Sequence, residues 1–176
     1  MPGIDESRAF APIGIALLTV SDSRTPATDR SGDLLAERVQ EAGHRLIRRA
    51  IAGDEIAAIR TFLLEAIADP AVDAVIATGG TGLTGRDVTP EAFEGLYDKA
   101  IPGFGELFRM LSYHKIGSST IQSRATAGLA GGTLLFALPG SPGACRDAWD
   151  DILKYQLDIR FRPCNFVELM PRFSEK

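Results

Sequence analysis

Residues Ile13–Val20 read IGIALLTV, an almost unbroken apolar run. A strand with one wet face alternates apolar and polar residues. A run like this one needs cover on both faces, and a parallel sheet flanked by helices supplies it. Helical spacing follows: Gly32–Ala42 sets Leu34, Leu35, Val39 and Ala42 on one side, and Gly43 ends it. His44–Ile51 forms a second strand, Asp54–Ala68 a helix with Pro70 beyond its end, and Ala74–Thr78 a third strand. Thr89-Pro90-Glu91 opens another helix, with Thr89 as cap, Pro90 at the first position and Glu91 favoured by the dipole. Ile101-Pro102-Gly103 reads as a turn, Phe104–Lys115 as a helix, and Thr126–Ala130 and Thr133–Leu138 as strands. Ser141 caps and Pro142 starts a last helix, running through Trp149 to about Gln156. Strands alternating with helices define one α/β domain with a mostly parallel sheet over residues 13–176. Residues 1–12 form a loose arm, and the tail from Arg160 is irregular or a short edge segment.

Composition narrows the function. The formal net charge of −4 argues against broad electrostatic binding to nucleic acid or an anionic membrane. No apolar run approaches the roughly 20 residues of a membrane span, and MPGIDESRAF has no secretory pattern. Cys145 and Cys164 form no CxxC pair, which fits a reducing, cytoplasmic setting. Both cysteines read as small buried hydrophobes, and His44 and His114 as structural or exposed.

The stretch Ala77–Ala92, ATGGTGLTGRDVTPEA, carries the chemistry. Gly80, Gly82 and Gly85 spell G-x-G-x-x-G. Yet the helix opens only at Pro90, the motif follows the third strand, and no acidic residue ends a strand about 20 positions later. A dinucleotide fingerprint is therefore a poor match. No Gly-Lys-Ser/Thr sequence is present, which excludes an ordinary P-loop. Glycines clustered at a strand end let backbone approach a ligand, and their successive N–H groups can form an anion-binding concavity. Other strand ends add Ser21, Asp22 and Ser23, then Asp54, then Pro139-Gly140-Ser141-Pro142. In a parallel sheet these ends share one rim. Amides and helix starts attract phosphate, whereas Asp54 and Asp87 repel it unless a cation intervenes. Mg²⁺ held by Asp54 and Asp87 resolves the conflict. Plainer readings stay open beside these: Asp54 as a helix cap, Asp87 as a loop brace, Ser21 and Ser23 as acceptors for turn amides. Arg124 either neutralises phosphate or forms a surface salt bridge. The stripe Phe104, Leu107, Phe108 and Leu111 reads as core or subunit contact.

In order along the chain stand TVSDSR (Thr19–Arg24), GGTG (Gly79–Gly82), RDVTPEA (Arg86–Ala92), PGFGELFR (Pro102–Arg109), SRATAG (Ser123–Gly128) and LPGSP (Leu138–Pro142). Together they resemble the MogA/MoaB family of molybdenum cofactor biosynthesis. FRMLSYHKIG and RFRPCNFVELMPR are closer to the MoaB branch. The resemblance implies a three-layer α/β/α sandwich assembling as a homotrimer or homohexamer. It implies that molybdopterin is the substrate and ATP the co-substrate. Mg-ATP-dependent adenylylation then yields adenylyl-molybdopterin and pyrophosphate, and a downstream molybdenum-insertion enzyme takes the product. Asp54 and Asp87 match the family's catalytic aspartates. Ser21, Asp22, Ser23, Gly79, Gly80, Thr81, Gly82, Pro139, Gly140, Ser141 and Pro142 match its ligand loops, and Glu106 is a candidate pterin contact against a solvated helix face. The MoaB branch also implies a second reading, a non-catalytic molybdopterin-binding or scaffold protein.

Overall fold

A computed structural model describes residues 1–175. In chain order, β1 (Gly3–Ile4) and β2 (Gly14–Val20) precede α1 (Arg30–Glu41), and β3 (Arg45–Ala52) precedes α2 (Ile56–Ala68). β4 (Ala74–Thr78), α3 (Thr89–Glu94), β5 (Lys99–Ala100) and α4 (Pro102–Ile116) follow. A 3-10 turn (Gly117–Gln122) leads to β6 (Thr126–Ala130) and β7 (Thr133–Leu138). The last long helical stretch begins as α5 (Pro142–Ala148), passes through a π turn (Trp149–Leu153) and ends as α6 (Lys154–Gln156). β8 (Phe161–Arg162) and α7 (Phe166–Leu169) come near the end.

The main sheet has the order β3-β2-β4-β7-β6-β5. β3, β2, β4 and β7 run parallel; β6 is antiparallel to β7, and the edge strand β5 is antiparallel to β6. β6 and β7 join through Gly131 and Gly132 at φ +56° and +85°, the positive pair that a two-residue hairpin turn requires. Every residue of β2 is buried, as its apolar run demands. Alternate side chains serve opposite layers: Ile15 and Leu17 pack with Leu35, Val39, Phe104, Phe108 and Trp149, whereas Ala16, Leu18 and Val20 pack with Ile59, Leu63 and Phe93. Helices α1, α4 and α5 thus cover one face and α2 and α3 the other, which makes the α/β/α sandwich. Among the described residues no helix is long and apolar enough to cross a membrane.

Several local expectations change. The arm is tied down: Gly3 and Ile4 pair with Arg162 and Phe161, and Phe10 packs on the buried His44. Pro102 starts α4 instead of closing a turn before it, because proline suits a first helical position. Helix α2 begins at Ile56, and neither Asp54 nor its cap residue Glu55 caps it by side chain. Thr89 is not a cap either; Val88 stands there, and the Thr89 hydroxyl is used elsewhere. Cys145 is buried but Cys164 is exposed.

Candidate functional site

The carboxyl ends of β2, β3, β4 and β7 lie side by side, since Thr19 registers with Ile51 and Thr78, and Thr78 with Leu138. The glycine loop begins where β4 ends. Gly79 has φ +104° and Gly80 φ +66°, a region that favours glycine. A Cβ on Gly79 would stand 2.2 Å from the Val20 carbonyl oxygen. One on Gly80 would meet Thr89 Oγ1 at 2.4 Å and Asp54 Oδ1 at 3.3 Å, and one on Gly82 would meet Asp87 Oδ2 at 2.8 Å. Gly140 lies close against Gly79. The glycines therefore let four loops close on one another.

The hydrogen bonding of this loop is one-sided. The carbonyl of Gly79 accepts from Thr89 Oγ1 at 2.8 Å, and that of Gly80 from Thr89 N at 3.0 Å. The carbonyl of Thr81 accepts from Arg124 N at 3.1 Å, and that of Gly82 from Arg124 Nε at 2.8 Å. The N–H groups of Gly80 and Thr81 donate to nothing among the described residues. Spent carbonyls and free amides leave a local excess of positive partial charge, suited to an anion.

Three carboxylates surround it. Asp22 N donates to Asp54 Oδ2 and Asp54 N to Asp22 Oδ1, each at 2.9 Å. Arg86 then grips Asp22 Oδ2 through Nε, at 3.0 Å, and Nη2. Asp87 Oδ2 accepts from Thr84 N at 2.9 Å and Thr84 Oγ1 at 2.7 Å. The environments split the acidities. Burial, joined by the charges of Asp22 and Asp87, raises the Asp54 carboxyl above its usual range. The Thr84 hydroxyl holds Asp87 below that range, and the Asp54 amide with Arg86 does the same for Asp22. Asp54 Oδ1 and Asp87 Oδ1 take no hydrogen bond from the described residues.

Beside the loop opens a cavity of about 540 Å³. Gly80, Thr81, Gly82 and Asp87 line it from one side, and Pro139, Gly140 and Ser141 from another. Ser141 also caps α5, accepting from Ala144 N at 3.2 Å, and Pro142 starts that helix. Asp54, Gly79 and Pro142 do not line the cavity, nor do Ser21, Asp22 and Ser23. The Ser21 hydroxyl accepts from the N–H groups of Ser23 and Arg24, so it satisfies turn amides, and Asp22 joins the rim through Asp54. Glu106 and Arg124 line a second hollow, together with Tyr97 and Arg109. Arg124 is consumed as a brace: besides Gly82 it donates to the Asp87 carbonyl at 2.7 Å and pairs with Glu91.

Five contributors were not foreseen from the sequence. Thr89 reaches back to Gly79, and Arg86 joins the loops after β2 and β4. Ser112, Lys115 and Ser123, from α4 and the segment after it, line the cavity. The hydroxyl-rich run SYHKIGSSTIQS was the available signal for the last group.

No three His, Cys, Asp or Glu side chains among the described residues converge as a metal cage. A Mg²⁺ ion needs less from the protein, one or two carboxylates, with water and phosphate oxygens completing its shell. Asp54 and Asp87, each with a free oxygen beside the anion-binding amides, fit that donor set.

Comparison with known proteins gives the family. A family model described as "Probable molybdopterin binding domain" matches residues 16–158. The chain is 52% identical over 160 residues to molybdenum cofactor biosynthesis protein B of Escherichia coli (strain K12), covering 91% of this chain and 94% of that protein. It is 44% identical over 153 residues to the protein of the same name from Bacillus subtilis (strain 168), covering 85% and 90%. A crystal structure of a molybdenum cofactor biosynthesis protein B superposes with a TM-score of 0.83 at 44% identity, over 85% of this chain and 94% of that one.

Proposed function

The chain belongs to the MogA/MoaB family of molybdenum cofactor biosynthesis proteins, and on that premise we propose that it adenylylates molybdopterin with Mg-ATP. Its place in molybdenum cofactor biosynthesis follows from the relatives, and the chemistry is argued from the site. The observation that carries the proposal is the pairing of unspent glycine-loop amides with two carboxylates that keep a free oxygen each.

In this reading the terminal phosphate of molybdopterin attacks the α-phosphorus of ATP. The bond from that phosphorus to its β-bridging oxygen breaks, and pyrophosphate leaves. Such a transfer asks the protein mainly for alignment and charge neutralisation. The Gly80 and Thr81 amides hold phosphate oxygens, and the wall from Pro139 to Ser141 confines them. Asp54 and Asp87 would hold Mg²⁺, which when bound supplies positive charge against the phosphates. Arg124 keeps the loop carbonyls turned away. The expected homotrimer or homohexamer, and delivery to a molybdenum-insertion enzyme, belong to the same proposal.

The test is to mix the protein with molybdopterin and Mg-ATP and follow pyrophosphate. Wild-type protein releases it, and Asp87→Ala releases none while its circular dichroism stays native. If the wild type binds molybdopterin and releases nothing, the adenylylation claim fails. A second reading, a non-catalytic molybdopterin-binding protein, draws on Asp87 Oδ2 being spent twice on Thr84. It expects calorimetric titration to find molybdopterin binding without any Mg²⁺-dependent affinity for ATP.

A further inference from the structure

Four cationic side chains stand near the rim; Arg124 and Lys115 are engaged within their own surroundings, and Arg24 faces a separate hollow with Thr25 and Arg49. Arg124 spends Nε, Nη1 and Nη2 on Gly82, Glu91 and Asp87. Lys115 bridges Asp147 at 2.6 Å and Asp151 at 3.1 Å, tying α4 to the stretch that α5 begins. Arg24 donates to the Thr28 carbonyl inside its own loop. Arg86 differs. Its side chain is 61% exposed, and its Nε and Nη2 both fall on one oxygen, Asp22 Oδ2. Its Nη1 has no partner among the described residues. A guanidinium that shares one acceptor atom makes incomplete use of its fork. Its partner, Asp22, is joined to Asp54, whose Oδ1 lies against Gly80.

We propose that Arg86 grips the polyphosphate of the nucleotide, exchanging Asp22 for phosphate oxygens when ATP arrives. The exchange is cheap on one side, because an exposed ion pair is weak and readily screened. It is favourable on the other, because phosphate presents two acceptors to the fork. Asp22 thereby acts as a gate on affinity, holding the guanidinium in place while the site is free. This rests on the adenylyltransferase reading of the same site, and it replaces Arg124 with Arg86 as the phosphate-neutralising arginine.

Calorimetric titration of the full chain with Mg-ATP, AMP and inorganic tripolyphosphate tests it. Arg86→Ala should weaken Mg-ATP and tripolyphosphate by about tenfold and leave AMP nearly unchanged, with Arg86→Lys between. Asp22→Asn keeps an Oδ1 for the Asp54 amide but removes the charge that holds Arg86, so it should tighten Mg-ATP. A purely structural clasp predicts that both substitutions loosen the rim and weaken binding together. Shifts of the same sign, or an Arg86→Ala protein that binds Mg-ATP like the wild type, overturn the inference and leave the adenylylation reading standing. A wild-type protein that neither binds Mg-ATP nor releases pyrophosphate overturns both.

Discussion

Asp22 and Asp54 each donate a backbone N–H to the other's carboxylate, both at 2.9 Å. The exchange locks the loops after β2 and β3 together and holds two like charges side by side. The cost falls unequally. Asp22 is exposed and has Arg86, whereas Asp54 is partly buried and its acidity is weakened. Asp87, across the glycine loop, is shifted the opposite way by Thr84.

Opposite shifts give opposite signs in stability against pH. Asp54 has a folded pKa above its unfolded value of 3.8, so its ionisation opposes folding. That deficit is fully present above the folded pKa and fades as pH falls through it. Asp87 has a folded pKa below 3.8, so it contributes stability above 3.8 that is lost as pH falls through the folded value. Asp54→Asn should therefore raise the urea midpoint at pH 7, and Asp87→Asn should lower it. Both differences should shrink in acid, that of Asp54→Asn at the higher pH. Midpoints measured from pH 7 to pH 3 check this, and equal signs at pH 7 would contradict it.

Three glycines of one loop should respond differently to alanine. Gly79→Ala is the worst, because its Cβ meets the Val20 backbone at 2.2 Å, which no side-chain rotation relieves. Gly80→Ala carries left-handed strain of roughly 1–2 kcal/mol and a contact with Thr89 Oγ1. Gly85→Ala finds open space and no positive φ, so it is neutral or stabilising by up to about 1 kcal/mol. Denaturant unfolding of the three variants should give that order.

Beneath the rim, Asp29 is 1% exposed and its carboxylate serves three donors: Thr19 Oγ1, the Gly32 N–H at the start of α1, and Arg49, whose two Nη atoms divide between Asp29 and Asp33. Arg49 Nη2 is the member of that pair on Asp29, at 2.8 Å. Asp29→Ala removes a cap and the acceptor of Thr19 Oγ1, and leaves Arg49 with Asp33 alone, at roughly 1–3 kcal/mol. Its carboxyl is held below the usual range despite burial, with Arg49 the leading favourable cause. The contribution is present above pH 3.8 and lost as pH falls through the lowered value. Thermal unfolding of Asp29→Ala and Asp29→Asn at pH 7 should place Asn between alanine and wild type.

How far the sequence foretold all this depends on range. β4, β6 and β7 match their expected bounds to the residue, because local apolar runs end at turn-forming residues. The rim was legible for the same reason: strand ends and glycines are local signals. Contacts between distant segments were not. Nothing in MPGI announces pairing with Phe161 and Arg162, and nothing near Arg124 says that its donors reach Gly82 and the Asp87 carbonyl. Thr89 misled because a threonine before proline at a helix start has a good local use, and a longer-range one won.

That Thr89 hydroxyl gives the sharpest test of how the loop is held. Thr89 is fully buried, and its Oγ1 donates to the Gly79 carbonyl while its N–H donates to the Gly80 carbonyl. One residue thus turns two successive carbonyls inward, which aims the amides outward. Thr89→Val keeps the shape and the backbone bond but leaves the Gly79 carbonyl without its hydroxyl donor, at roughly 1–3 kcal/mol. Thr89→Ser keeps the hydroxyl and loses one buried methyl, at about 1 kcal/mol. Valine should cost more than serine in unfolding midpoint, although valine is the closer match in volume. It should also speed amide hydrogen exchange at Gly80 and Thr81, where serine does not. If valine proves the milder change in both measurements, packing rather than the hydroxyl orients the loop, and the amide concavity loses its structural cause.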